Sequence, residues 1–260
     1  MKNEPRINYR VDGSRGPWVT FVTGIANDTT MWDAQVGALE RDFRVLRYDL
    51  RGQGESEATP PPYTLSLLVS DLLRLWAELK VEKSHLIGLG LGGAIAQAVA
   101  IEDGARLISV MPCCCRAQMV PDFAVMWHAL IEKVRANGVQ GIVEQTAQRW
   151  FSDEFKAANP HVIDNVRKMI ARTSEDGYIG CASAFLGLAL ENRLHRISVP
   201  THYVSGADDR LGGPPALMER LAKQVPGARH SSVPKAAHIA NIQNPGGFNL
   251  VVGEFLREHS

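Results

Sequence analysis

Short runs of apolar and β-branched residues recur along this chain, and helix-length stretches separate them. The runs "RINYRVDG" (6–13), "WVTFVTG" (18–24), "RVLRYDL" (44–50), "SHLIGL" (84–89), "RLISVMPC" (106–113), "THYVSGAD" (201–208) and "ARHSSV" (228–233) have strand length and composition. Helical patterns fall at 31–41, 64–80, 91–102, 215–224 and 245–259, the last carrying Phe248, Val251, Val252 and Phe255 at near-helical spacing. Strands that are apolar on both faces belong to a parallel sheet with helices on both sides. An α/β fold with a mainly parallel, doubly wound sheet is therefore expected, with its site at the carboxyl ends of the strands.

Between about 118 and 191 the rhythm changes. "FAVMWHALIEKVRAN", "GIVEQTAQRWF", "HVIDNVRKMIAR" and "CASAFLGLALEN" read as helix after helix without a strand between them. This predicts a helical cap over 118–191, inserted into a core made of 1–117 and 192–260; a chain of 260 residues accommodates such a domain. The stretch "ATPPPYT" (58–64) reads as a rigid extended loop whose prolines delay the next helix.

Charge and cysteine usage exclude several classes of function. Lys plus Arg (28) equals Asp plus Glu (28) and no basic tail is present, so neither nucleic acid nor an anionic membrane surface is an expected partner. The N-terminal "MKNEPRINYR" lacks an apolar signal-like stretch, and no uninterrupted apolar run reaches the roughly 18 residues of a membrane span. Cys113, Cys114, Cys115 and Cys181 fit neither a zinc-ligand spacing nor a secreted disulfide framework. The expectation is a cytoplasmic protein with reduced thiols, no metal site and a small-molecule substrate.

"HLIGLGLGG" (85–93) supports two opposed readings. Gly88, Gly90 and Gly93 have the G-x-G-x-x-G spacing of a dinucleotide loop, but such a loop follows the first strand and needs an acidic residue about 20 positions on. Here it follows at least three strand runs, and Glu102 and Asp103 come too early. Gly88, Gly90 and Gly92 have the spacing of G-x-S-x-G, the strand-to-helix elbow of a serine nucleophile, with Gly90 in the serine's place. That reading requires a later carboxylate and then a histidine, and both are present: Asp208-Asp209 after "THYVSG", and His238 in "KAAHIANIQNP". The carboxylate orients the imidazole, which moves protons at the reacting centre. Asp209 is the chosen acid and Asp208 its one-position alternative. The backbone N–H groups of Leu91, after the elbow, and Ile25, in "VTGIAND", are the expected oxyanion donors.

With these motifs in place, the order of "MWDAQV", "RYDLRGQGES", "RWF", "SGADD" and "AAHIANIQNP" resembles that of the α/β-hydrolase superfamily. Within it the chain is similar to the 3-oxoadipate enol-lactonases and related lactone and ester hydrolases, from about Ile7 to the C-terminus. The resemblance implies an eight-stranded sheet, a helical cap, no cofactor and a Ser-Asp-His triad, in which Asp209 and His238 carry over and Gly90 occupies the nucleophile position.

Three readings of Gly90 follow. The chain is a lactone or ester hydrolase whose serine has been exchanged; or an enzyme using His238 as base on water or on a substrate C–H or O–H, including lyase-type chemistry; or a ligand-binding protein that needs neither His238 nor Asp209. One of Cys113 to Cys115 is a possible replacement nucleophile, against the default of small packing residues. Trp127, Trp150 and Phe151 are candidates for the pocket roof. Arg116, Arg149 and Arg172 are the cationic candidates for holding an acidic lactone, and Arg51 is expected to fix its own loop.

Overall fold

The computed structural model describes residues 4–260. One sheet holds β1 (Tyr9–Asp12), β2 (Trp18–Val22), β3 (Arg44–Tyr48), β4 (Ser84–Leu89), β5 (Leu107–Cys113), β6 (His202–Gly206) and β7 (Arg229–Val233), in the order β1-β3-β2-β4-β5-β6-β7. Only β1 runs antiparallel, against β3. Every other neighbouring pair is parallel. The mainly parallel sheet expected from the alternation is thus present.

The strand count corrects the expectation drawn from the resemblance: among the described residues the sheet has seven strands, not eight. Arg6 and Asn8, just before β1, are engaged elsewhere. Asn8 accepts at its carbonyl from Asp49 N (2.9 Å), Arg6 accepts from Glu57 N (3.0 Å), and Asn8 N donates to Ser56 Oγ (2.9 Å). The backbone groups of Arg6 and Asn8 are thus taken up by the loop after β3 and not by another strand.

Both β4 and β6 are buried along their whole length, and with β2 and β5 they contribute Val19, Phe21, Leu86, Ile87, Val110 and Val204 to a continuous core. Polar side chains in these strands are bonded to one another. Thr20 and Ser84 hydroxyls lie 2.9 Å apart, Trp76 Nε1 donates to Thr20 Oγ1 at 3.0 Å, and His85 Nδ1 meets Ser109 Oγ at 2.8 Å. Beyond β3, Arg51 forms a buried two-pronged pair with Asp71 (2.6 and 2.9 Å), which fixes the 51–64 loop as expected of this arginine. The helix Leu65–Glu78 then starts at Thr64, whose hydroxyl accepts from Leu67 N.

Strand order determines where a site can form. The chain leaves β2 for β3 on one side and returns to β4 on the other, so the loops after β2 and β4 diverge and leave a crevice at the carboxyl ends of the strands. Residues 23–28 and Gly90 flank that crevice, and the loops after β6 and β7 reach it from the other half of the sheet. Five helices, Pro121–Asn137, Gln140–Trp150, Asp153–Ala158, Pro160–Ala171 and Glu175–Leu186, lie between β5 and β6. Among the described residues no helix is long and apolar enough to cross a membrane.

Two buried histidines make stability depend on pH. Burial pulls His85 down from 6.5 to about 4, and burial with the nearby Arg229 and His230 does the same to His202. Between these values the unfolded chain binds protons that the folded chain refuses, so stability falls as pH drops from about 6.5 to about 4. Urea titrations across this window are expected to show a declining midpoint. The decline should be shallower in His85→Asn, which no longer titrates there.

Candidate active site

The elbow follows from close packing. A Cβ on Gly88 would strike the Gly92 carbonyl, one on Gly92 the Val22 carbonyl, and one on Gly93 would lie 2.6 Å from Cys115 Cβ. No side chain fits at these three positions. Gly90 is different: its backbone has φ 61° and ψ −118°, and a Cβ there would meet nothing nearer than His238 Nε2 at 3.8 Å and Gly24 Cα at 3.9 Å. Its side-chain direction is therefore open and aimed at the imidazole. The helix Leu91–Glu102 begins immediately afterwards, so the Leu91 N–H is one of the unpaired first-turn donors. Ile25 N likewise has no protein acceptor among the described residues, and both residues line the same pocket as Gly90.

His238 reaches this point from the loop after β7. Its Nδ1 lies 3.1 Å from Asp209 Oδ2, which leaves Nε2 facing Gly90. Asp209, in the loop after β6, also accepts from the backbone N–H groups of Leu211 (2.7 Å), Gly212 (3.2 Å) and Gly213 (2.9 Å). Burial opposes ionisation of this carboxyl, but His238 and these backbone donors outweigh it and hold the pKa below its ordinary value. Asp208 is exposed and points elsewhere, so the imidazole's partner is Asp209.

The cavity beside Gly90 is mostly apolar, with Ile25, Leu91, Phe123, Met126, Trp127 and Trp150 among its walls. Trp127 and Trp150 line it, whereas Phe151 lies outside its lining. Of the three candidate arginines only Arg149 is there. Its guanidinium is half-buried against Met126 Sδ with no carboxylate partner among the described residues, and burial lowers its pKa while nearby Tyr178 raises it. Arg116 corrects the expectation: it stacks 4.1 Å from the Phe123 ring centroid and donates to the Leu211 carbonyl (3.3 Å), one layer behind the wall. Arg172 also lies outside the pocket, paired with Asp28.

Cys113, Cys114 and Cys115 are buried and unpaired, with Cys114 and Cys115 against the cavity. Burial pushes all three thiols up, Cys114 and Cys115 further through the neighbouring Asp209 charge. They are packed thiols, not activated nucleophiles. Among the wall residues, Asn27, Phe123, Met126, Leu130, Tyr178 and Phe185 escape the sequence reading. Phe123, Met126, Trp127 and Leu130 share one helical face, a signal present in the sequence but shared with ordinary helix packing.

Residues 21–249 match the alpha/beta hydrolase family. The chain belongs to that family. It is 29% identical to 3-oxoadipate enol-lactonase 1 of Acinetobacter baylyi over 252 residues, covering 96% of this chain and 93% of that one. Among solved structures, an enol-lactonase from Burkholderia xenovorans superposes with a TM-score of 0.94 at 33% identity, covering 98% of both chains. A thermophilic esterase from Thermogutta terrifontis, with malate bound, gives 0.94 at 30% identity and covers 100% of this chain and 96% of that one.

The steric contrast at the elbow has a measurable consequence. Gly90→Ser meets no obstacle and is expected to cost only the about 1–3 kcal/mol of placing a side chain on a positive-φ backbone. Gly92→Ala drives a methyl into a backbone carbonyl and is expected to exceed that loss. Urea midpoints of the two variants should fall in that order.

Proposed function

We propose that the chain is a cofactor-independent hydrolase of a small lactone or carboxylic ester, in which His238, oriented by Asp209, activates water directly and no acyl-enzyme forms. One observation carries this reading: His238 Nε2 faces the open side-chain position of Gly90, while Nδ1 is held by a buried carboxylate. A serine Oγ placed there would extend one bond beyond Cβ toward Nε2, and a water molecule can take that oxygen's role.

In the proposed reaction this water attacks the substrate carbonyl carbon as Nε2 takes its proton. The charge gained by the imidazole is balanced by Asp209, and the carbonyl oxygen, now an oxyanion, accepts from Ile25 N and Leu91 N. Collapse of the tetrahedral intermediate breaks the acyl–oxygen bond, and the departing oxygen takes the proton back from Nε2. A carboxylic acid and an alcohol or enol leave, the same species in a ring-opened lactone.

The helices between Pro121 and Leu186 act here as a cap, with Trp127 and Trp150 as its apolar roof and Arg149 as the cation for an acidic substrate. The lactonase and esterase relatives support this substrate class, and the malate bound to the esterase supports an anionic one. The free cysteines fit the cytoplasm.

Gly90→Ser is the decisive test. Loss of the serine from such a unit costs roughly a millionfold in turnover. The variant is therefore expected to gain several orders of magnitude on short-chain esters or lactones and to show an acyl adduct by intact mass, whereas the parent chain turns over slowly with no adduct. His238→Ala should abolish turnover in both. A folded Gly90→Ser protein inactive on a broad ester and lactone panel would refute the proposal.

A further inference from the structure

Ile25, the proposed oxyanion donor, sits in a loop that the core does not hold alone. Residue 26 is an alanine at φ 61°, a left-handed conformation that a non-glycine residue keeps only when its surroundings impose it. Three side chains impose it. Gln53 Oε1 accepts from Ala26 N at 2.6 Å, Asp49 Oδ1 accepts from Thr29 N at 2.6 Å, and Asp28 is gripped by Arg172, whose Nε lies 2.9 Å from Oδ2. The first two partners belong to the core. Arg172 does not: it ends the helix Pro160–Ala171, 144 residues further along the chain. The next two residues repeat the connection, since Thr173 Oγ1 reaches the same Gln53 Oε1 at 3.4 Å and Ser174 Oγ donates to the Gly52 carbonyl at 2.8 Å.

The Arg172–Asp28 pair is built to transmit position. Asp28 is buried and its other oxygen accepts from Thr30 N, so its carboxylate has a single orientation. Arg172 has a half-exposed side chain, and the pair breaks if its helix lifts away.

We propose that Arg172 is a positioning residue that holds the 25–29 loop in its donor geometry and couples that geometry to docking of the helix Pro160–Ala171. This rests on the reading of Ile25 as an oxyanion donor. Arg172 touches no reacting atom; it acts through Asp28 on the loop. The loop is therefore competent while the helix is seated and relaxes when it lifts.

Hydrogen exchange and kinetics test the two halves separately. The bonded N–H groups of Ala26 and Thr29 report on the loop. In full-length Arg172→Gln they are expected to exchange at least tenfold faster, with β4 and the 202–213 segment unchanged, and Arg172→Lys should recover most of the protection. Asp28→Asn, which keeps a side chain able to cap the following turn, should reproduce the Arg172→Gln result. In the Gly90→Ser background, Arg172→Gln should lower kcat on p-nitrophenyl acetate about tenfold with KM within twofold, and Arg172→Lys should regain it. Unchanged exchange at Ala26 and Thr29 overturns the proposal, as does faster exchange with unaltered kcat. A folded but inactive Gly90→Ser protein counts against the hydrolase reading instead, and the exchange result still decides whether Arg172 holds the loop.

Discussion

The close approach of β4, the helix after it and the end of β2 sets the rest of the arrangement. Gly88, Gly92 and Gly93 bring backbone against backbone, and any side chain there would push the helix N-terminus away from the sheet. With the helix drawn in, Leu91 N–H and Ile25 N–H open onto one cavity although their residues follow different strands. The helix terminus also brings a partial positive charge of about half a unit to that point. On the proposed reading, a chain with no net charge thereby acquires a local anion-stabilising spot, made entirely of backbone and independent of the side chain at position 90.

The second constraint is the buried carboxylate of Asp209. An ionised group taken out of water is stable only if its lone pairs are occupied, and three backbone donors and one imidazole nitrogen occupy them. The helices between β5 and β6 reinforce the same geometry. The Trp150 carbonyl accepts from His238 N at 3.1 Å, and Gln243 Nε2 donates to Ser152 Oγ at 2.9 Å. Residues at the ends of these helices thus contact the His238 loop (Trp150, Ser152), Asp28 (Arg172) and the Gly52–Gln53 turn (Thr173, Ser174), while others wall the pocket.

Strands were legible because period and composition are local: all seven apolar runs became strands. Asp209 and His238 were legible as a pair because each falls just past a strand run in the right chain order. Three features depend on contacts between distant segments and were not legible. Among the described residues the sheet stops at seven strands, and Arg6 and Asn8 bond to the 49–57 loop instead. The choice of Asp209 over Asp208 depends on which of two adjacent residues the end of β6 turns inward. Arg116, Arg149 and Arg172 are chemically alike in sequence, yet one stacks on Phe123, one faces the cavity and one grips Asp28. Side-chain type shows that a cation is available and only tertiary contact shows to what.

Glycine at position 90 sharpens what the remaining parts can accomplish. It occupies without cost a backbone conformation that a serine holds only under about 1–3 kcal/mol of strain, so the elbow is more relaxed than one bearing a nucleophile. In the proposed mechanism the covalent step is missing, and with it the division of one high barrier into two lower ones. On the proposed reading, a general base contributes about 10²–10⁴ and an oxyanion donor about 10²–10³ in rate. These contributions overlap and do not multiply freely. Water held by Nε2 also lacks the fixed orientation of a tethered hydroxyl, so part of the proximity advantage is lost. Catalysis of that size suffices for carbonyls that are already reactive, such as enol lactones and esters with stabilised leaving groups, and falls short for amides. On that reading His238 still supplies the acid for the leaving group, and the glycine narrows the substrates within reach to those whose carbonyl is reactive enough for attack by an untethered water.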